Sequence, residues 1–181
     1  QGFDLLSIHG RLPHKRRISI FKQFMEMKSG ALLTTDLAAR GLDVPEVDWI
    51  VQFHPPQDPS SFVHRIGRTA RMGRQGNALV YLLPSERGYV HYLELQQVPI
   101  TERPLAVTTV DTGPILRQQV LRDRDLLEKS QVAFVSFVRA YKEHSCDFVF
   151  RLKTLDLCTL GHAFAVLKLP RMAETRGVEF D

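Results

Sequence analysis

Between Asp4 and Gln97, short apolar runs alternate with segments of helical period, and no other feature restricts the fold as strongly. Asp4–Ile8, Ala31–Thr35 and Ala78–Leu83 have strand length, and Val47–Phe53 is apolar except for Asp48 and Gln52. Pro45 and the pair Pro55-Pro56 bound that third run. Between the first two runs, Pro13–Met27 places Ile18, Phe21, Phe24 and Met25 at helical spacing, and Gly30 closes the segment. Pro59–Arg71 reads as a second helix with a proline in its first turn, and Ser85–Gln97 as a third. Strands alternating with helices predict an α/β fold with a parallel sheet sandwiched by helices. In such sheets ligands bind at the carboxyl ends of the strands. The turns His9-Gly10-Arg11 and Thr35-Asp36, and the start of the second helix, are expected to converge there.

That second helix carries Arg65, Arg68 and Arg71 three residues apart. On a continuous helix their guanidinium groups span about 120° of one side. A planar fork that stays charged grips phosphate oxygens bidentately, so the spacing predicts a polyanion site, and a solvated arginine face is the alternative. Gly67 stands between two of the arginines, at a cost of about 1 kcal/mol relative to alanine in a helix. Its presence predicts a close approach to that backbone.

The chain has 181 residues, a net charge of +4 and a pI near 9.3, which permits a nucleic-acid partner without requiring one. Most of the excess charge lies in the first half. Cys146 and Cys158 are the only cysteines, too few for a zinc site. No apolar run reaches the length of a bilayer span, so no membrane partner is expected, and no secretory signal opens the chain. The opening Gln1-Gly2-Phe3 lacks a methionine, which predicts a fragment of a longer protein.

Two stretches resemble a known family. T-T-D-L-A-A-R-G-L-D at Thr34–Asp43 and H-R-I-G-R-T-A-R at His64–Arg71 resemble motifs V and VI of the DEAD-box RNA helicases, in the family's order and at its usual separation. These are superfamily 2 ATPases whose two RecA-like lobes close on ATP and RNA together. The resemblance covers residues 4–97 and concerns the second lobe. It implies a RecA-like parallel sheet, ATP with Mg²⁺ as cofactor, and RNA as partner.

The motif positions imply roles. Arg68 and Arg71 match arginines that reach the γ-phosphate, where such a finger is worth roughly 10³–10⁵ in rate. Asp43 matches the residue that accepts hydrogen bonds from the ATP ribose, with Gly41 beside it in the cofactor-binding stretch; a plain turn aspartate is the alternative for Asp43. His64 and Arg65 match residues that couple the cleft to the first lobe and to motif V, and ordinary hydrogen bonding within the domain is an equal alternative. Thr35 matches an RNA-phosphate contact. Gly10 and Arg17 fall in the family's H-G-x-x-x-Q-x-x-R segment, but His14 stands where the family has glutamine, and Arg16 is also available. Such contacts read backbone, which implies sequence-independent, salt-sensitive binding.

No G-x-x-x-x-G-K-[ST] loop and no D-E-A-D box occurs, so the Mg²⁺ ligands are expected in an absent first lobe, and this fragment alone is expected to be inactive. The family's motif IV strand is not seen before Asp4, so part of the second lobe is expected to be missing too. The expected domains are 1–97 as the lobe, 98–114 as a proline-rich linker, and 115–181 as a small, mostly helical extension. Within the extension, Ile115–Lys129 and Gln131–His144 read as separate helices, and Phe134, Val135, Phe137, Val138 and Tyr141 as an apolar face. Its wording, including F-V-S-F-V-R-A-Y-K-E-H and L-K-L-P-R-M, resembles the extension of nucleolar DEAD-box proteins of large-ribosomal-subunit assembly. The expectation is an ATP-dependent RNA helicase acting on rRNA, nucleolar, monomeric, with pre-ribosomal proteins as further partners. An inactive lobe serving as an RNA or assembly-factor binding module, and a superfamily 2 DNA helicase, are the alternatives.

Overall fold

The computed structural model describes residues 4–36, 47–70, 75–104 and 111–180. They form two compact units, Gln1–Tyr81 and Leu82–Asp181.

In the first unit, strand β1 (Leu5–Ile8) pairs in parallel with β2 (Ala31–Thr34), Leu5 opposite Ala31 and Ile8 opposite Thr34. Helix α1 (His14–Glu26) is the crossover between them, as a parallel pair requires. Its Ile20 and Phe21, with Leu12, pack on Leu6, Ile8 and Leu32, so alternate strand residues supply one buried face. At Gly30, φ is +156°, and a Cβ there would lie 2.8 Å from the Asp4 carbonyl oxygen. The missing side chain lets Ala31 N–H reach that carbonyl at 2.9 Å and start the pairing. Strand β3 (Trp49–Gln52) pairs in parallel with β4 (Asn77–Val80). All four strands are shorter than or equal to the apolar runs that predict them.

Helix α2 (Pro59–Ile66) starts as its sequence predicts: Pro59 occupies the first turn, and the Asp58 carboxylate accepts from Ser60 N–H at 3.1 Å. It ends five residues sooner than expected. The chain leaves the helix at Gly67, and Thr69 Oγ1 donates to the Val47 carbonyl while Val47 N–H donates to the Arg68 carbonyl. Ala70 follows at φ +56°. The atoms nearest to a Cβ at Gly67 would be the Val63 and His64 carbonyl oxygens of the same helix. Arg65 and Arg68 therefore do not share one helical face. Arg65 is on the helix, Arg68 is in the turn after it, and Arg71 lies outside the described residues.

The second unit opens with a 3₁₀ turn at Pro84–Glu86 and helix α3 (Gly88–Leu95), whose Tyr89 and Leu93 are fully buried. Tyr89 meets Phe150 edge-on at 5.2 Å, so α3 packs with the chain's last third. Packing thus divides the chain at Tyr81, whereas the sequence pattern changes at Gln97; helix α3 makes the difference. Helices α4 (Gly113–Arg122) and α5 (Arg124–Lys142) meet at Asp123, not at Ser130 as the sequence reading expects. The Asp123 carboxylate accepts from Asp125 and Leu126 N–H and starts α5. Ser130 is carried inside the helix because its hydroxyl donates back to the Leu127 carbonyl at 2.9 Å. The apolar face of α5 is as read: Phe134 and Val138 are fully buried against Leu157, Val166 and Leu169, around helix α6 (Leu157–Ala163).

Candidate functional site

The carboxyl ends of β2 and β3 are joined by one side chain. Arg65 Nε donates to Asp36 Oδ1 at 2.5 Å and Arg65 Nη2 to Asp36 Oδ2 at 2.7 Å, a two-point grip on the turn after β2. Arg65 Nη1 donates to Gln52 Oε1 at 3.1 Å, on the last residue of β3, and to the His54 carbonyl at 3.0 Å. Every nitrogen of the fork is engaged. Arg65 is 22% exposed and Asp36 42%, so water screens the pair only in part. This clamp sets β2, β3 and α2 against one another where a parallel sheet holds its ligands.

Arg68, three residues on, is half-buried, and its Nε is buried without a hydrogen-bond partner among the described residues. Asp36 and Arg65 satisfy each other, so among the described residues Arg68 is a cation without an acceptor for that nitrogen, in a groove of about 920 Å³ that runs along β2 and β3 to their carboxyl ends. Thr34, Thr35, Asp36, His54 and Arg65 also line this groove. A buried N–H with no acceptor fits an anionic oxygen that arrives with a ligand. The His54 ring is held below its usual pKa, first by burial and then by the positive charge of Arg65, and is therefore neutral at pH 7. It adds no charge to the groove.

The remaining expected residues are distributed unevenly. Thr35 is exposed at the groove, and Thr34 Oγ1 donates to its carbonyl at 3.0 Å. Gly10 and Arg16 are exposed at the β1–α1 turn and in the first turn of α1. Arg17 is half-buried there, with its Nε buried and unpartnered among the described residues. His64 is exposed. Gly41, Asp43 and Arg71 lie outside the described residues. Sequence reasoning missed Gln52 and the role of Asp36 as the partner of Arg65. A signal existed for Gln52, as a polar side chain interrupting an apolar strand. Among the described residues no three His, Cys, Asp or Glu side chains come together in a way that could hold a metal ion.

Comparison with known proteins matches both units. Residues 1–73 match the family described as helicase conserved C-terminal domain, and residues 123–172 match the ATP-dependent rRNA helicase SPB4-like C-terminal extension. The mouse ATP-dependent RNA helicase DDX55 is 49% identical over 177 residues, which is 97% of this chain and 29% of that protein. The structure of Mss116p DEAD-box helicase domain 2 bound to an RNA duplex superposes with a TM-score of 0.70 at 25% identity, over 90% of this chain and 63% of that one. Mss116p bound to ssRNA and AMP-PNP superposes with a TM-score of 0.71 at 26% identity, over 90% of this chain and 32% of that one. The chain spans between 26% and 32% of the length of the curated relatives it matches.

Proposed function

The chain belongs to the DEAD-box ATP-dependent RNA helicases, as a RecA-like C-terminal lobe with a helical extension, and from that premise we propose that the whole protein couples ATP hydrolysis to local separation of RNA strands during large-subunit rRNA maturation. The observation that carries the reading is the divided arginine pair: Arg65 is consumed in holding β2, β3 and α2 together, and Arg68 keeps a buried N–H with no partner among the described residues in the groove.

ATP with Mg²⁺ supplies, when bound, a phosphoryl group on which negative charge must be stabilised as it transfers. On this side of the cleft Arg68 contributes a charge that needs no reorganisation, because its turn is already fixed by the Thr69–Val47 hydrogen bonding. Arg71 completes the pair by its motif position. Asp43 and Gly41 hold the ribose end by theirs, and the Mg²⁺ ligands belong to the first lobe. Arg65 and His64 transmit closure between the lobes. Thr35, Gly10, Arg16 and Arg17 hold RNA phosphates, which makes binding salt-dependent and indifferent to sequence. The match to an rRNA helicase extension supports an rRNA substrate; a nucleolar location, contacts to pre-ribosomal proteins and a monomeric state are part of the same proposal.

The test is ATP hydrolysis by the full-length protein with and without RNA, comparing wild type with Arg68→Ala and Arg71→Ala. RNA-stimulated turnover that falls by roughly 10³-fold or more in either variant is the expected result, the range for a transition-state arginine. Turnover independent of RNA, or untouched by both substitutions, removes the reading.

A further inference from the structure

Gln52 is 3% exposed, and its side chain is only half used. Its Oε1 accepts from Arg65 Nη1, which fixes the orientation of the amide, because the reversed amide would set donor against donor. Its Nε2 is then buried with no acceptor among the described residues. A buried amide with an unmet donor costs stability, whereas an apolar side chain of the same length would not. The position therefore carries a residue that the packing of β3 does not favour. The contact that this residue makes is with the one arginine that ties three elements together.

We infer that Gln52 is a positioning residue for the arginine cluster: its carbonyl oxygen fixes the fork of Arg65, and through the end of α2 it sets the turn that presents Arg68. Asp36 alone grips Arg65 along one edge of the guanidinium, through Nε and Nη2, and leaves rotation about that edge open. Gln52 Oε1 and the His54 carbonyl close the other edge at Nη1. Of these two, only the Gln52 side chain can be changed by substitution. Arg65 and Arg68 are separated by a single helical step and a glycine, so a fork free to swing transmits its motion to the backbone of that turn. Expected consequences fall on turnover more than on ATP affinity, since Arg68 is proposed to act on charge that develops during transfer.

This inference rests on the helicase reading, and the experiment separates the two. Full-length wild type, Gln52→Met and Gln52→Glu are compared for RNA-stimulated ATP hydrolysis and for thermal unfolding. Methionine keeps the length and removes both polar groups; glutamate keeps an acceptor for Arg65 Nη1. Q52M is expected to unfold at the same or a higher temperature than wild type while kcat falls about tenfold with KM for ATP within twofold. Q52E is expected to recover kcat to within about threefold of wild type. A double-mutant cycle with Arg65→Lys adds a second readout, in which Q52M costs no further turnover on the R65K background. Wild-type turnover with an unchanged Q52M overturns the role of Gln52 alone, as does a Q52M that loses stability and turnover together, or one that fails to fold while Q52E on the R65K background is additive. Wild type without RNA-stimulated turnover overturns the helicase reading and the role of Gln52 with it.

Discussion

Replacing Asp36 by alanine removes the two shortest bonds in the strand-end clamp and leaves Arg65 with a half-buried charge. Fully exposed ion pairs are worth about 0–1 kcal/mol, and breaking a buried one costs about 3–5 kcal/mol. With Arg65 22% and Asp36 42% exposed, the pair lies between these limits. Gln52 and the His54 carbonyl still accept from Nη1 in the variant, so Arg65 is not orphaned, which holds the expected loss to about 2 kcal/mol. That corresponds to roughly a 30-fold rise in the unfolding constant. Trp49, the only tryptophan of the 181 residues, lies on β3 and reports on this unit through its fluorescence during urea unfolding. The double-mutant cycle Asp36→Ala with Arg65→Ala isolates the pair, and a coupling of about 1.5 kcal/mol or more that persists in 1 M NaCl is expected, because screening acts only on the exposed part. Coupling below about 0.5 kcal/mol, or coupling abolished by salt, would show an ordinary surface pair and refute the reasoning that Arg65 organises the strand ends.

Three further outcomes are expected. Ala70 holds φ +56°, so Ala70→Gly relieves left-handed strain of about 1–2 kcal/mol against a smaller loss from a freer unfolded chain; the urea midpoint read from Trp49 should rise, and a fall would contradict the strain. A Cβ at Gly76 would overlap the Thr69 side chain and the Ala70 nitrogen, so Gly76→Ala should cost about 1–3 kcal/mol and lower RNA-stimulated turnover by displacing the Arg68 turn. Glu86 has its pKa raised, chiefly by burial and in spite of the hydrogen bond it accepts from Leu83 N–H. Its native state keeps a proton that the unfolded chain releases above 4.5, so this contribution to stability is present below 4.5 and is lost as pH rises through the folded value. Glu86→Gln should flatten that part of the stability–pH curve and raise stability at pH 7; a curve identical to wild type would count against a buried charge there.

Much of the first unit is legible because its signals are local. Apolar runs bounded by Pro55-Pro56 or Gly30 became strands, and Pro59 after Asp58 opened α2, since capping and φ restriction act within a few residues. What escaped is fixed from a distance. Nothing between Pro59 and Arg71 breaks the helical period except Gly67, and the helix ends because Thr69 and Arg68 bond to Val47, more than twenty residues back. No periodicity records such a contact. The break at Asp123 was legible in principle, since an aspartate followed by a charged first turn is a starting signal, but the apolar stripe beyond Ser130 drew the boundary towards itself. The Asp36–Arg65 pair joins residues 29 apart, and charge type alone leaves open which carboxylate an arginine meets.

The early end of α2 also determines how charge is shared. Had the helix continued, Arg68 would stand about 60° around the axis from Arg65, on the same side and competing for the same carboxylate. Asp36 offers two oxygens, and Arg65 takes both. Turning the chain at Gly67 removes Arg68 from that competition and leaves its charge to the groove. One arginine can be rigid while the other keeps an Nε without a partner among the described residues: a clamp without a spare donor would have nothing to offer an anion, and a spare donor on an unclamped helix would have to be ordered when the anion arrived. Substituting Arg68 should thus spare the urea midpoint and lower RNA-stimulated turnover, whereas substituting Arg65 should lower the midpoint first.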